Sequence, residues 1–246
     1  MDNGGNSSLA EQFAAALDWW REAGVDYDLA DTPHGWIAPE IMAEPVEPQL
    51  AAATKPEPAP PAEIDRSKWP NELSGFAPWW LGEPWLDGGQ LAGRVAPRGS
   101  QGAQLMILVA EPEREDNAEL LSGPQGRLLR AILAAMGLAP DATYIASVLP
   151  RHTPHADWEE ADARGLGKLA CHHVGLVAPQ RLIVFGSNIL SLLGNDPANF
   201  TAGAGEFAHG GTRVPMLADR DLAMLLERPR WKAGLWQNWL DWTKSA

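Results

Sequence analysis

Thiol chemistry is nearly missing from this 246-residue chain, which has one cysteine, Cys171. One thiol closes no internal disulfide and cannot supply the several ligands of a structural zinc or iron–sulphur centre, so a reduced compartment, no metal and no cofactor are expected. Long apolar runs are missing too. No stretch approaches the roughly 18 to 20 residues that cross a bilayer, and no Lys/Arg-flanked apolar segment opens the chain, so the expectation is a cytoplasmic protein that does not engage a membrane. Positive charge is scarce: 19 Lys and Arg face 32 Asp and Glu, a formal balance of −13. Phosphate attracts cations, and such a balance excludes a protein that coats nucleic acid by bulk electrostatics. The deficit is uneven, however. Residues 1–99 hold 6 basic and 16 acidic side chains and residues 100–246 hold 13 and 16, which leaves room for a local basic groove in the second part.

What is present is an ordinary core-forming composition, 45% hydrophobic and 8% aromatic, spread over four segments. In residues 1–37, Ser8-Leu9-Ala10-Glu11 has the capping-box pattern. Leu9, Phe13, Leu17 and Trp20 then recur at helical spacing until Gly24, which predicts a short amphipathic helix and tail. Residues 38–63 are a linker rich in Pro, Ala and Glu, a composition that favours extended, solvated chain. An apolar stripe on such a tether either docks back on its own domain or fits a partner's groove. Residues 64–104 form a lead-in with Trp69, Trp79, Trp80 and Trp85 among Pro and Gly. This reads as an aromatic loop packed on the domain or covering a sheet edge. The alternative is a stacking platform for bases, although the interleaved Lys and Arg of such platforms are absent.

Residues 105–246 alternate. The apolar runs AQLMILVA, ATYIASVLP, RLIVFG and RVPMLA are strand candidates. Between and after them lie helical patterns in GPQGRLLRAILAAMGL, EEADARGLGKLACHHVGLVA, SNILSLLG and RWKAGLWQNWLDW, the first turning Leu128, Leu129, Ile132, Leu133 and Met136 inward. Strands that are apolar throughout and alternate with helices imply a central, mainly parallel sheet covered on both faces, a three-layer αβα fold. Ligands in such folds bind at the carboxyl ends of strands, here the segments after Val109, Leu149, Phe185 and Leu217.

Five stretches in order, MILVAEPERED, GPQGRLLRAILAAMGL, YIASVLPRHTP, APQRLIVFGSNILSLLG and LLERPRWKAGLW, together resemble the type 4 bacterial and archaeal uracil-DNA glycosylases over about 140 residues. The N-terminal helix with its linker also looks like an extension found on some members. An enzyme that acts on a base flips it from the stack and holds it by stacking and by hydrogen bonds to its pairing edge. The resemblance therefore assigns roles position by position. The family's Gly-Glu-Ala-Pro-Gly motif with its following acids falls on Ala110-Glu111-Pro112-Glu113-Arg114-Glu115-Asp116, which keeps the Glu and later acids but loses both glycines. Glu111 is the catalytic candidate, either orienting a water or stabilising a sugar cation, or else part of an exposed acidic turn. The Phe that stacks on uracil falls on Leu121, which has no π face. The uracil-reading Asn falls on Ser147, whose hydroxyl reaches less far and bonds fewer groups than an amide.

In the second signature, His-Pro-Ala-x-Leu-Leu in the family, Asp221 stands in place of His, which removes a donor and sets an anion near the DNA backbone. Gly123 and Gly126 match; they either bring backbone close to a ligand or simply shape the turn into the helix. Arg151 and His152, with His155, make the best basic cluster for phosphates, and Ser187 and Asn188 open a helix whose N-terminus suits an anion, unless Ser187 is an ordinary N-cap. The family's iron–sulphur cluster is not expected, because none of its four cysteine positions is Cys; the third falls on Arg151 and the fourth near Leu166. Cys171 reads as a small buried hydrophobe, and His172 and His173 as helix-surface residues.

Three functions follow from this pattern. The first is a uracil-DNA glycosylase-like protein with degenerate motifs, a non-catalytic DNA- or protein-binding module in DNA replication or repair. A precedent is the psi subunit of the bacterial replicative polymerase, which is similar to the superfamily without being a glycosylase. The second is an active DNA glycosylase of altered base specificity. The third is a protein-interaction adaptor without nucleic-acid contact, reaching a replication or repair protein through the N-terminal helix.

Overall fold

The computed structural model describes residues 8–24, 66–194 and 203–244. The chain divides into two compact units, Met1–Pro56 and Glu57–Ala246.

In the first unit, α1 (Leu9–Glu22) starts as the sequence indicates: Ser8 Oγ accepts the Glu11 amide at 3.3 Å and the Glu11 carboxylate accepts the Ser8 amide at 2.7 Å. Gly24, at φ 83°, follows the end of the helix. Its apolar side chains Leu9, Phe13, Leu17 and Trp20 fall at helical spacing, and none of the helix's residues is buried within the unit.

The second unit is a three-layer α/β fold. Its sheet contains β1 (Leu105–Val109), β2 (Thr143–Ser147), β3 (Leu182–Phe185), β4 (Gly203–His209) and β5 (Thr212–Asp219) in the order β2-β1-β3-β5-β4. All neighbours are parallel except the β4–β5 pair. The apolar strand runs have a direct cause: every residue of β1, β2 and β3 is buried, because helices cover both faces. On one face Met106, Leu108, Ala146 and Val184 pack with α2 (Leu73–Gly82), α5 (Leu166–Val177) and α6 (Ser187–Leu192). On the other, Ile107, Val109, Ile183, Phe185 and Leu217 pack with α3 (Pro124–Ala135), α7 (Leu222–Glu227) and α8 (Pro229–Lys244).

Four local differences from the sequence reading have physical reasons. The single helix expected over residues 159–178 is two, α4 (Trp158–Ala163) and α5, because Gly165 takes φ 92° between them. β4 was invisible as a strand since only Phe207 of its seven residues is buried; its signal was Gly210-Gly211, both at positive φ, the geometry of a tight hairpin turn. The second-signature segment supplies a helix of its own, α7, which Asp221 caps. The tryptophan-rich lead-in contains α2, with Phe76, Trp80 and Leu86 in the core, rather than being a loop throughout. It also covers a sheet edge: Arg98 exchanges both backbone hydrogen bonds with Ile145 of the edge strand β2. Gly99 permits that approach, because a Cβ there would sit 2.6 Å from Tyr144 Cα.

Candidate functional site at the strand ends

Strand register sets the frame. Ser147, Val109, Phe185 and Asp219 stand abreast at the carboxyl ends of β2, β1, β3 and β5. The connections that leave these ends carry the positions named by the resemblance, and each side chain has a definite local partner.

Glu111 lies two residues past β1. Its carboxylate accepts the Thr153 amide across the loop that follows β2, and it sits 3.4 Å from His152 Nδ1. His152 Nδ1 is also 3.1 Å from the Pro112 carbonyl. Glu111 and His152 are thus brought together, with side chains 28% and 34% exposed, as a carboxylate–imidazole pair tying two strand-end loops. Of the remaining acids of this turn Glu115 is exposed, whereas Glu113 and Asp116 are buried and fully engaged. Buried Glu113 accepts the amides of Gly123, Gln125 and Gly126 at 2.9, 2.7 and 3.0 Å. Asp116 accepts those of Glu113, Leu121 and Ser122, together with the Ser122 hydroxyl. The bare N–H groups at the start of α3, where a phosphate would be held, are filled by a carboxylate of the protein itself. Gly123 and Gly126 therefore serve Glu113, and Gly126 has a second duty: a Cβ there would lie 1.7 Å from the Leu121 carbonyl oxygen.

Leu121 is fully buried at φ 58°, pinned by Asp116 and packed in the cluster that holds Val109, Phe185 and Leu222. The Ser147 hydroxyl donates to the Leu149 carbonyl at 2.8 Å, so it is turned back on its own chain. Asp221 accepts the Met224 amide at 2.7 Å as the N-cap of α7. Arg151 is not directed at a phosphate: Nε donates to Asp87 at 2.8 Å, and the other oxygen of Asp87 binds Arg94. Arg94, almost wholly buried, also donates to the carbonyls of Gln90, Trp80 and Glu83. This network fastens the lead-in to the loop after β2. Ser187 and Asn188 are exposed on the six-residue α6, whose N-cap is Gly186; Ser187 is inside the helix and caps nothing.

The histidine pair departs from the surface reading. His173 is buried, with Nε2 2.8 Å from the Tyr144 hydroxyl and its ring stacked 3.7 Å from Phe76. Burial, with His172 beside it, pulls its pKa from 6.5 to about 3, so the imidazole is neutral; burial also pushes the Tyr144 phenol up. Half-buried His172 bonds the Pro70 carbonyl at 2.7 Å and meets the Trp69 ring. Both imidazoles hold the lead-in down. Cys171 is buried and its thiol is pushed up to about 11.

The donors present do not fit an iron–sulphur cluster. The position nearest its third ligand is the ion-paired Arg151, the fourth is core Leu166, and Cys171 is a buried thiol held in its neutral form. Among the described residues, no three His, Cys, Asp or Glu side chains are grouped to hold a metal ion, and no helix is long and apolar enough to cross a membrane.

Sequence reasoning missed Asp219. Its carboxyl is 1% exposed; Oδ1 accepts the Arg220 amide at 2.7 Å, while Oδ2 has no partner, and burial raises its pKa. The one signal was an acid closing an apolar run, PMLAD. Asp87 and Arg94 had no signal, since their pairing arises from a turn in the lead-in. No family model matches the chain, and none of the curated proteins compared with it matches.

Proposed function

We propose that this chain is a uracil-DNA glycosylase-like protein that has lost base excision and serves as a non-catalytic binding module in DNA replication or repair. One observation carries the reading. At the strand ends, the side chains standing where the family stacks on and reads a base are spent on the protein's own structure. Leu121 is core, Ser147 bonds Leu149 and Asp221 caps α7, while beside them Glu113, one of the acids after Glu111, fills the start of α3. A flipped base needs a cavity, a stacking face and edge donors. The five family-like stretches form or flank the sheet, so what has been kept is the scaffold. The apolar residues of α1 at helical spacing fit a partner's groove, which supports a protein partner beside DNA.

The test is incubation of the full chain with single- and double-stranded DNA bearing uracil, hypoxanthine or other lesions, followed by hot alkali. Silence on every substrate supports the module, and strand breaks at the lesion overturn it. Gel shifts across a salt series then separate a DNA module, whose affinity falls steeply with salt, from an adaptor that binds no DNA. Partner capture with and without residues 1–37 reads the contribution of α1.

A second reading, a glycosylase of altered specificity, is favoured by the Glu111–His152 pair. It remains partly exposed beside the strand ends and has the chemistry to orient a water. In that case cleavage is present in the wild type and lost in Glu111→Gln.

A further inference from the structure

At the opposite, amino-terminal end of the sheet, a cleft of about 250 Å³ opens between Gln104 and Leu105 at the start of β1, Gln180 and Arg181 before β3, Leu138, and Trp239 of α8. None of these residues belongs to the strand-end site. Backbone hydrogen bonds hold its walls: Gln104 donates to Ala142, Gln180 to Ala103, and Met106 to the Arg181 carbonyl.

The guanidinium of Arg181 lies over two buried indoles, 6.0 Å from the Trp239 centroid and 5.4 Å from that of Trp242. Among the described residues it has no carboxylate partner, a state it shares with Arg114, Arg127, Arg130, Arg228 and Arg230, and its own distinction is the seat on two indoles beside a cleft. Asp241, the acid nearest Trp242 in sequence, is engaged with Gln237 and Lys244. Among the described residues, then, no carboxylate neutralises this cation where it borders the cleft. The side-chain amides of Gln104 and Gln180 are exposed and unengaged among the described residues.

We propose that this cleft is a binding site for a small carboxylate. The planar fork of a guanidinium matches a carboxylate through two parallel hydrogen bonds, and its seat on the indoles fixes the fork before the ligand arrives. The two Gln amides add donors without adding charge, so the cleft offers one positive charge. That balances a monoanion and leaves a phosphate dianion half compensated. Leu105 and Trp239 are buried beneath the cleft, so its accessible lining is mainly polar, and its volume of about 250 Å³ suits a small ligand.

The experiment titrates the full chain with benzoate, with its neutral analogue benzamide and with inorganic phosphate, by calorimetry and by the indole N–H resonance of Trp239. Benzoate is expected to bind saturably and to shift that resonance, at least about tenfold more tightly than benzamide or phosphate, the scale of one charge-assisted hydrogen-bonded pair. Arg181→Gln should lose at least about tenfold in benzoate affinity, and Arg181→Lys, which keeps the charge but not the fork, should fall between. Thermal melts of each variant confirm folding, and Gln180→Ala gives a second, weaker loss if Arg181→Gln does not fold. Non-saturable benzoate binding overturns the proposal, as does equal binding of phosphate or an Arg181→Lys affinity equal to the wild type.

Discussion

When the pH falls from about 7 to about 4.5, the imidazole of His173 is driven toward a proton that its site does not accommodate. The ring is stacked on Phe76 and hydrogen-bonded to the Tyr144 hydroxyl, and its folded pKa of about 3 lies below the ordinary 6.5. A depressed folded value means that the stabilising contribution is complete above 6.5 and is lost as the pH drops toward 3. Each pH unit inside that window costs about 1.4 kcal/mol, so about 3 kcal/mol should be gone near pH 4.5, a large part of a typical domain's stability. The informative quantity is the difference between the wild type and His173→Gln, which isolates this one imidazole. The amide of Gln can still accept the Tyr144 hydroxyl but takes up no proton. Urea unfolding followed by tryptophan fluorescence at a series of pH values should show the variant less stable at neutral pH and the gap closing as the pH falls. Parallel pH profiles for the two proteins would refute the reasoning.

Other perturbations follow from the same geometry. Asp87→Ala leaves the buried Arg94 guanidinium without its counter-charge and should cost about 3 to 5 kcal/mol in chemical denaturation, with loosening of α2 seen as faster amide exchange in residues 73–82. Gly126→Ala drives a methyl into the Leu121 carbonyl and should lower stability by about 3 kcal/mol or more; a melting temperature equal to the wild type would contradict the close packing at the start of α3. Asp219 has a raised pKa, so its ionisation opposes folding: stability should fall as the pH rises from 3.8 through the folded value. Asp219→Asn should flatten that decline, read from denaturation midpoints on either side of it.

The α/β class was legible because burial on both sheet faces forces apolar strands, and β1, β2, β3 and β5 carry that mark. The α1 cap was legible because a capping box is a local chemical pattern. β4 escaped because an edge strand with one inward residue has no apolar run, and α2 escaped because Pro78 and two glycines in LSGFAPWWLG are poor helix formers, overridden by the burial of Phe76 and Trp80. At the strand ends the sequence shows residue types but not what they face. Glu113 among four acids looks like a charged turn until its three amide partners are seen, and His173 looks like a surface residue until Phe76 lies against it.

The most direct measurement of the central claim is single-turnover chemistry, with the full chain in excess over labelled DNA containing one defined lesion, sampled over hours across a panel of damaged bases. The account predicts that no abasic product accumulates above the protein-free control for any base. An abasic product that forms with the wild type and vanishes with Glu111→Gln would contradict it.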